Sequence, residues 1–150
     1  VAMSTIGARR KPFPKYLLER VFFMEQLNQN VLTDYIFNLK KSMYAGILED
    51  LKLVYDDNNE CPEIYLEIIK IKKKYRNQGY GSAVLQQIVQ LADEHNVQIV
   101  LYATNIFGID LKVLYKFYRK NGFVLIKNNK EGKFIYRPKK SGSGCNNIEE

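Results

Sequence analysis

Between residues 63 and 104 the apolar pattern changes period twice, and this narrows the folds open to the chain. EIYLEIIKI (63–71) is dense in isoleucine and bounded by turn residues, so it reads as a strand. The stretch 79–95 places Val84, Leu85, Ile88, Leu91 and Ala92 on one stripe, with Gln86, Gln87, Gln90, Asp93 and Glu94 on the other. That is an amphipathic helix. VQIVLYAT (97–104) reads as a second strand. Two strands joined by one helix are expected to lie parallel, through a right-handed crossover.

The flanking sequence extends this unit. LKLVYDD reads as a strand joined to 63–71 through the turn-rich DDNNECP. KYLLERVFFMEQL and VLTDYIFNLKK (31–41) read as helices, the second with some strand character. DLKVLYKFYRKNGF holds another helix, with Asp110 as its N-cap and Gly122 at its stop. FVLIKN and KFIYRP close as a hairpin around NNKEG. The fold class is therefore α/β with a mixed sheet. The expected organisation is a flexible basic arm (1–13), a single domain (14–137) and a disordered polar tail (138–150).

Composition excludes several classes. No apolar run approaches the roughly 20 residues of a membrane span, so a cytoplasmic protein without membrane contact is expected. The two cysteines, Cys61 and Cys145, lack metal spacing and read as free thiols in a reducing compartment. His95 is the only histidine, which argues against a histidine-rich metal site; no metal is expected. The formal net charge of +7 favours anionic partners, whether nucleic acid, phosphorylated cofactors or acidic proteins, without choosing among them.

The chemistry-bearing feature is YRNQGYG (75–81), which opens the 79–95 helix with two glycines. Glycine weakens helices and contributes nothing to the core. A helix N-terminus, however, has unpaired N–H groups and partial positive charge, so it accepts anions. Without side chains at Gly79 and Gly81 a phosphate can touch that backbone, and Arg76 adds a full charge. The Walker spacing is absent, and the dinucleotide GxGxxG fails because Val84 stands where its third glycine would be. What remains is RxxGxG between a strand and a helix.

In that setting IIKIKKKYRNQGYGSAVL resembles the acetyl-coenzyme A site of the GNAT acetyltransferases. The later FYRKNGF, with Tyr118, Gly122 and Phe123, is similar to the family's Y-x-x-x-G-F run. The resemblance covers about residues 45 to 137. It implies a mostly antiparallel sheet flanked by helices, with a central parallel strand pair. It also implies acetyl-coenzyme A as cofactor and transfer of its acetyl group to a primary amine. Pyrophosphate would sit on Arg76, Asn77, Gln78, Gly79, Tyr80, Gly81 and Ser82. Ile69 and Ile71 would offer backbone groups to the pantetheine arm. Lys73, Leu111 and Leu114 depart from the family's usual residues.

Two side chains are candidates for the chemistry. Glu67 stands mid-strand between apolar neighbours, where a carboxylate is costly unless paired or used, so it is the candidate general base. A structural ion pair is the competing reading, and Glu63 is a second choice. Strict alternation would put Ile64, Leu66 and Ile68 on one face and Tyr65, Glu67, Ile69 and Ile71 on the other. Tyr118, on the apolar arc of its helix, is the candidate acid for the leaving thiolate, with Tyr115 as core or rim. The acceptor stays open among protein lysine, a protein N-terminus and small amines. Acetylation of aminoacyl-tRNA, a degenerate coenzyme A-binding module and a nucleic-acid-binding module are the other readings.

Overall fold

The computed structural model describes residues 26–57, 61–126 and 130–139. The expected basic arm, all but the last two residues of the expected helix KYLLERVFFMEQL, Cys145 and the polar tail beyond residue 139 lie outside them. In chain order the elements are α1 (Gln29–Lys41), β1 (Leu48–Asp56), β2 (Glu63–Ile71), a 3-10 turn (Lys73–Tyr75), α2 (Tyr80–His95), β3 (Gln98–Tyr102), α3 (Leu111–Lys120), β4 (Val124–Leu125) and β5 (Lys133–Tyr136). They form one five-stranded sheet in the order β1-β2-β3-β5-β4. Among these strands only β2 and β3 pair in parallel; the other neighbours are antiparallel. The expected mixed sheet with a central parallel pair is thus present.

Local chemistry sets the helix ends. The Asn28 side chain caps α1 by accepting from the Val31 amide at 2.9 Å, and Asp110 caps α3 through the Lys112 amide at 2.7 Å. Helix α3 stops in a Schellman turn. Phe123 N–H donates to Tyr118 C=O at 3.0 Å, Gly122 N–H donates to Arg119 C=O at 3.1 Å, and Gly122 has φ +93°. Gln29 of α1 donates to Leu53 C=O and accepts from Tyr55 N–H, covering part of the edge strand β1.

The helices pack on one face of the sheet. Leu32 and Leu39 of α1, Val84, Leu85 and Ile88 of α2, and Tyr118 of α3 share a core with Leu53, Ile64, Ile99, Leu101 and Phe134. A small second cluster, Val100, Ile126 and Ile135, lies apart from it, as the side-chain alternation of β3 and β5 requires.

The expected strict alternation along β2 is broken. Leu53 pairs with Leu66 and Lys52 with Ile68, so Glu67 is an extra residue, a β-bulge. The bulge shifts the phase by one. Ile64 and Leu66 are buried before it, and Ile71 is buried after it with Ile69 packed against the same core. Glu67 is left off that face and is exposed rather than buried mid-strand. Cys61, expected as a free thiol, is disulfide-bonded.

Candidate active site: a slot between parallel strands

The pairing of β2 with β3 covers only Glu63 with Gln98, Ile64 with Ile99 and Tyr65 with Val100. Beyond Tyr65, β2 continues for six residues to Ile71 hydrogen-bonded to β1 alone. The two strands therefore part, and a slot opens through the sheet at their carboxyl ends. In open α/β sheets ligands bind at the carboxyl ends of parallel strands. A small groove, partly open to solvent, occupies the slot. Leu66, Glu67, Ile68 and Ile69 line it from β2, and Leu101, Tyr102 and Thr104 from β3 and its continuation. Ile106, Phe107 and Ile109 close it from the following loop, with Leu114 and Tyr118 from α3.

Helix α2 starts beside the Ile71 end of this slot. A Cβ on Gly81 would stand 3.4 Å from the Phe117 ring and 4.0 Å from Ile71. Gly79 is the N-cap at φ +89°, with no side chain to cap the helix. A Cβ there would meet nothing within 4 Å. The first backbone bond runs from Ala83 N–H to Gly79 C=O, so the amides of Tyr80, Gly81 and Ser82 have no backbone acceptor among the described residues. Gly79 is thus required by the left-handed turn, whereas a Cβ on Gly81 would only come into ordinary van der Waals contact with Phe117. Neither residue places a side chain over the unpaired amides. Asn77 shares the positive φ, at +62°, and Gln78 donates to Lys74 C=O.

Arg76 is half-buried, and its Nε donates to Ile71 C=O at 2.9 Å, tying the loop to the end of β2. This engages the Ile71 carbonyl, one of the groups expected to face pantetheine. Ile69 lines the groove; Ile71 does not.

Glu67 and Tyr118, 51 residues apart in sequence, meet in the same groove. Glu67 Oε1 is 2.8 Å from Lys52 Nζ, an ion pair that is itself partly exposed. Its Oε2 has no partner among the described residues. The carboxylate is thus both paired, as the structural reading requires, and half open to the groove, as the catalytic one requires. Tyr118 is buried among Phe117, Phe123 and Phe134, with ring centroids 5.2, 5.9 and 5.6 Å away. Burial pushes its phenol up to about 12, and its hydroxyl makes no hydrogen bond with any described residue. Glu63, the second choice, accepts from Gln98 at 2.6 Å at the closed end of the slot, away from the groove lining. Tyr115 packs edge-on against Phe134 and brings its hydroxyl against Gly132, outside the groove.

Sequence reasoning missed Asn121. It is buried, donates to Phe117 C=O at 2.8 Å and to Ser82 Oγ at 3.3 Å, and accepts from Gln86 Nε2 at 3.0 Å. It ties the end of α3 to the first turns of α2. A polar residue just before the helix-stop glycine was the available signal.

Among the described residues no cluster of acidic, histidine or cysteine side chains could hold a metal. No described helix is long and apolar enough to cross a membrane.

The site this α/β fold presents is a slot at the carboxyl ends of two parallel strands, beside a helix N-terminus with no side-chain cap. The family model of the acetyltransferase (GNAT) domain matches residues 40–125, and the chain belongs to that family. No curated protein matches it. Among solved structures, the anti-CRISPR protein AcrVA5 is similar at 23% identity and TM-score 0.45, over 57% of this chain and 86% of its own. The PaiA N-acetyltransferase from Thermoplasma acidophilum, in complex with coenzyme A, is similar at 18% identity and TM-score 0.47, over 61% of this chain and 53% of its own. AtaT complexed with acetyl-methionyl-tRNAfMet is similar at 12% identity and TM-score 0.47, over 69% and 82%.

Proposed function

We propose that this protein transfers an acetyl group from acetyl-coenzyme A to a primary amine. The observation carrying this reading is the uncapped N-terminus of α2 at the open end of the slot. The residues present fit the cofactor. The amides of Tyr80, Gly81 and Ser82 suit a pyrophosphate, Gly79 leaves space beside them, and the free edge of β2 suits an amide-bearing arm. When bound, acetyl-coenzyme A supplies the activated thioester.

The chain's own residues then have distinct tasks. An amine arrives as an ammonium, and the open Oε2 of Glu67 takes one proton from it, directly or through water. The bound thioester would supply the acetyl carbon to the amine, its C–S bond breaking as the N–C bond forms and its sulfur keeping the electron pair. The nitrogen sheds its second proton, sulfur gains one, and one proton in all is released to solvent. Tyr118 lines the same groove and would be the residue to face that sulfur. With its phenol at about 12 and a free thiol near 8.5, complete proton transfer is uphill by roughly 5 kcal/mol. Tyr118 therefore acts as a hydrogen-bond donor to the developing thiolate, and solvent completes its protonation. Aminoacyl-tRNA acetylation and simple nucleic-acid binding rest only on net charge and the exposed Lys72, Lys73 and Lys74.

Calorimetry with coenzyme A and with pantetheine tests the site. Coenzyme A should bind at least about tenfold more tightly, because only it carries the pyrophosphate. Equal affinity, or no binding of either, would remove the basis of the reading.

A further inference from the structure

The bulge turns Glu67 away from the core face that holds Ile69 and Ile71, so the slot has two sides. Helices α2 and α3 stand on the core side. On the other side Tyr65 and Tyr102 meet edge-on with ring centroids 6.0 Å apart. Tyr65 is close enough to Glu67 for the carboxylate to help raise its phenol pKa, after burial. The loop after β3 forms the opposite rim, with Phe107 under Lys70 Nζ at 4.8 Å and Ile106 69% exposed.

We infer that the acceptor is a monocationic primary amine on an apolar body, its ammonium at Glu67 and its body between the Tyr65–Tyr102 pair and Ile106–Phe107. This rests on the acetyl-transfer reading above. Three observations carry it. Among the described residues Glu67 is the only carboxylate lining the groove, and one of its oxygens is already held by Lys52, which leaves room for one ammonium. A second cationic group would meet Lys52 and Lys70, the latter fixed on Glu49 at 2.8 Å, so polyamines are disfavoured. Apart from Thr104 and backbone polar groups, the other side chains of the rim are aromatic or aliphatic, and these suit an apolar body and the flank of a cation.

The test is a competition for labelled acetyl-coenzyme A among 2-phenylethylamine, ethanolamine and spermidine. 2-Phenylethylamine should have the highest kcat/KM, by about tenfold or more over ethanolamine, as expected for an apolar pocket contact. Ile106→Asp should lower the phenylethylamine-to-ethanolamine ratio by about tenfold, mainly through KM, and Ile106→Leu should restore it. Preference for spermidine or ethanolamine, or an unchanged ratio in Ile106→Asp, would overturn the inference while leaving acetyl transfer standing. Coenzyme A binding with no labelled acceptor at all would overturn both. A peptide beginning with phenylalanine, run beside phenylethylamine, tells whether a chain or a small molecule carries the amine. A preference for either over spermidine supports the inference.

Discussion

Tyr118 shows what one hydroxyl can do in a buried place. Its ring fills space between Phe117, Phe123 and Phe134, where phenylalanine would pack as well. Tyr118→Phe should therefore fold normally and keep its affinity for coenzyme A. The loss of one hydrogen bond to a charged group costs about 1.5–3 kcal/mol, so kcat should fall roughly 10- to 150-fold. Because burial holds the phenol at about 12, the hydroxyl stays protonated, and the deficit should be constant between pH 6 and 9. Steady-state rates across that range check this, and Tyr115→Phe, whose hydroxyl lies against Gly132, should be close to wild type. A pH-dependent deficit would point to a proton-transfer role instead. For Glu67 the bulge matters more than burial, since it points the side chain to the groove. Glu67→Gln should lower transfer at neutral pH by roughly 100-fold or more while coenzyme A affinity is kept. Single-turnover rates beside calorimetry decide it; an unchanged rate would leave Glu67 as the structural partner of Lys52.

At the scale of elements, the sequence pattern located what depends on near neighbours. Asp110 and Gly122 mark the ends of α3 because capping is decided within a few residues. The Y-x-x-x-G-F run carries two meanings at once. Tyr118, Gly122 and Phe123 stand at the C3, C′ and C″ positions of the Schellman turn, and the Tyr118 and Phe123 rings touch, as such turns favour. The same spacing that looks like a catalytic signature is thus also a helix stop. Gly122→Ala forces φ +93° on a residue with a Cβ and should cost about 1–2 kcal/mol. Urea unfolding would show it, and an unchanged midpoint would mean that the turn is not rigid. What stayed illegible depends on distant pairing. The bulge at Glu67 arises from register against β1, and alternation within β2 alone assigned Ile69 and Ile71 to the wrong side. The slot depends on where β2 and β3 stop pairing, between Tyr65 and Val100, and no local pattern encodes that point. Asn121 escaped notice because its partners Ser82 and Gln86 lie more than 30 residues away.

Across the whole molecule, three tyrosines on separate elements couple the fold to alkaline pH. Tyr35 on α1, Tyr118 on α3 and Tyr136 on β5 are each pushed up to about 12, in every case first by burial. Tyr136 also donates to the Asp93 carboxylate of α2 at 3.0 and 3.1 Å, joining the sheet to a helix. In the unfolded chain a tyrosine releases its proton near pH 10. Between pH 10 and 12 the folded state therefore binds more protons than the unfolded one, and stability falls as pH rises. The contribution is complete below pH 10 and is lost as pH passes through the folded value near 12. Melting temperature should be flat in this respect from pH 8 to 10 and then drop steeply. Phenolate absorbance should show a group of tyrosines ionising only as the chain unfolds. Tyr136→Phe and Tyr118→Phe should each make the drop shallower, because each removes one proton from the difference. A drop of equal steepness in both variants would place the alkaline transition in other groups and would end this account of how the sheet and its helices are held together.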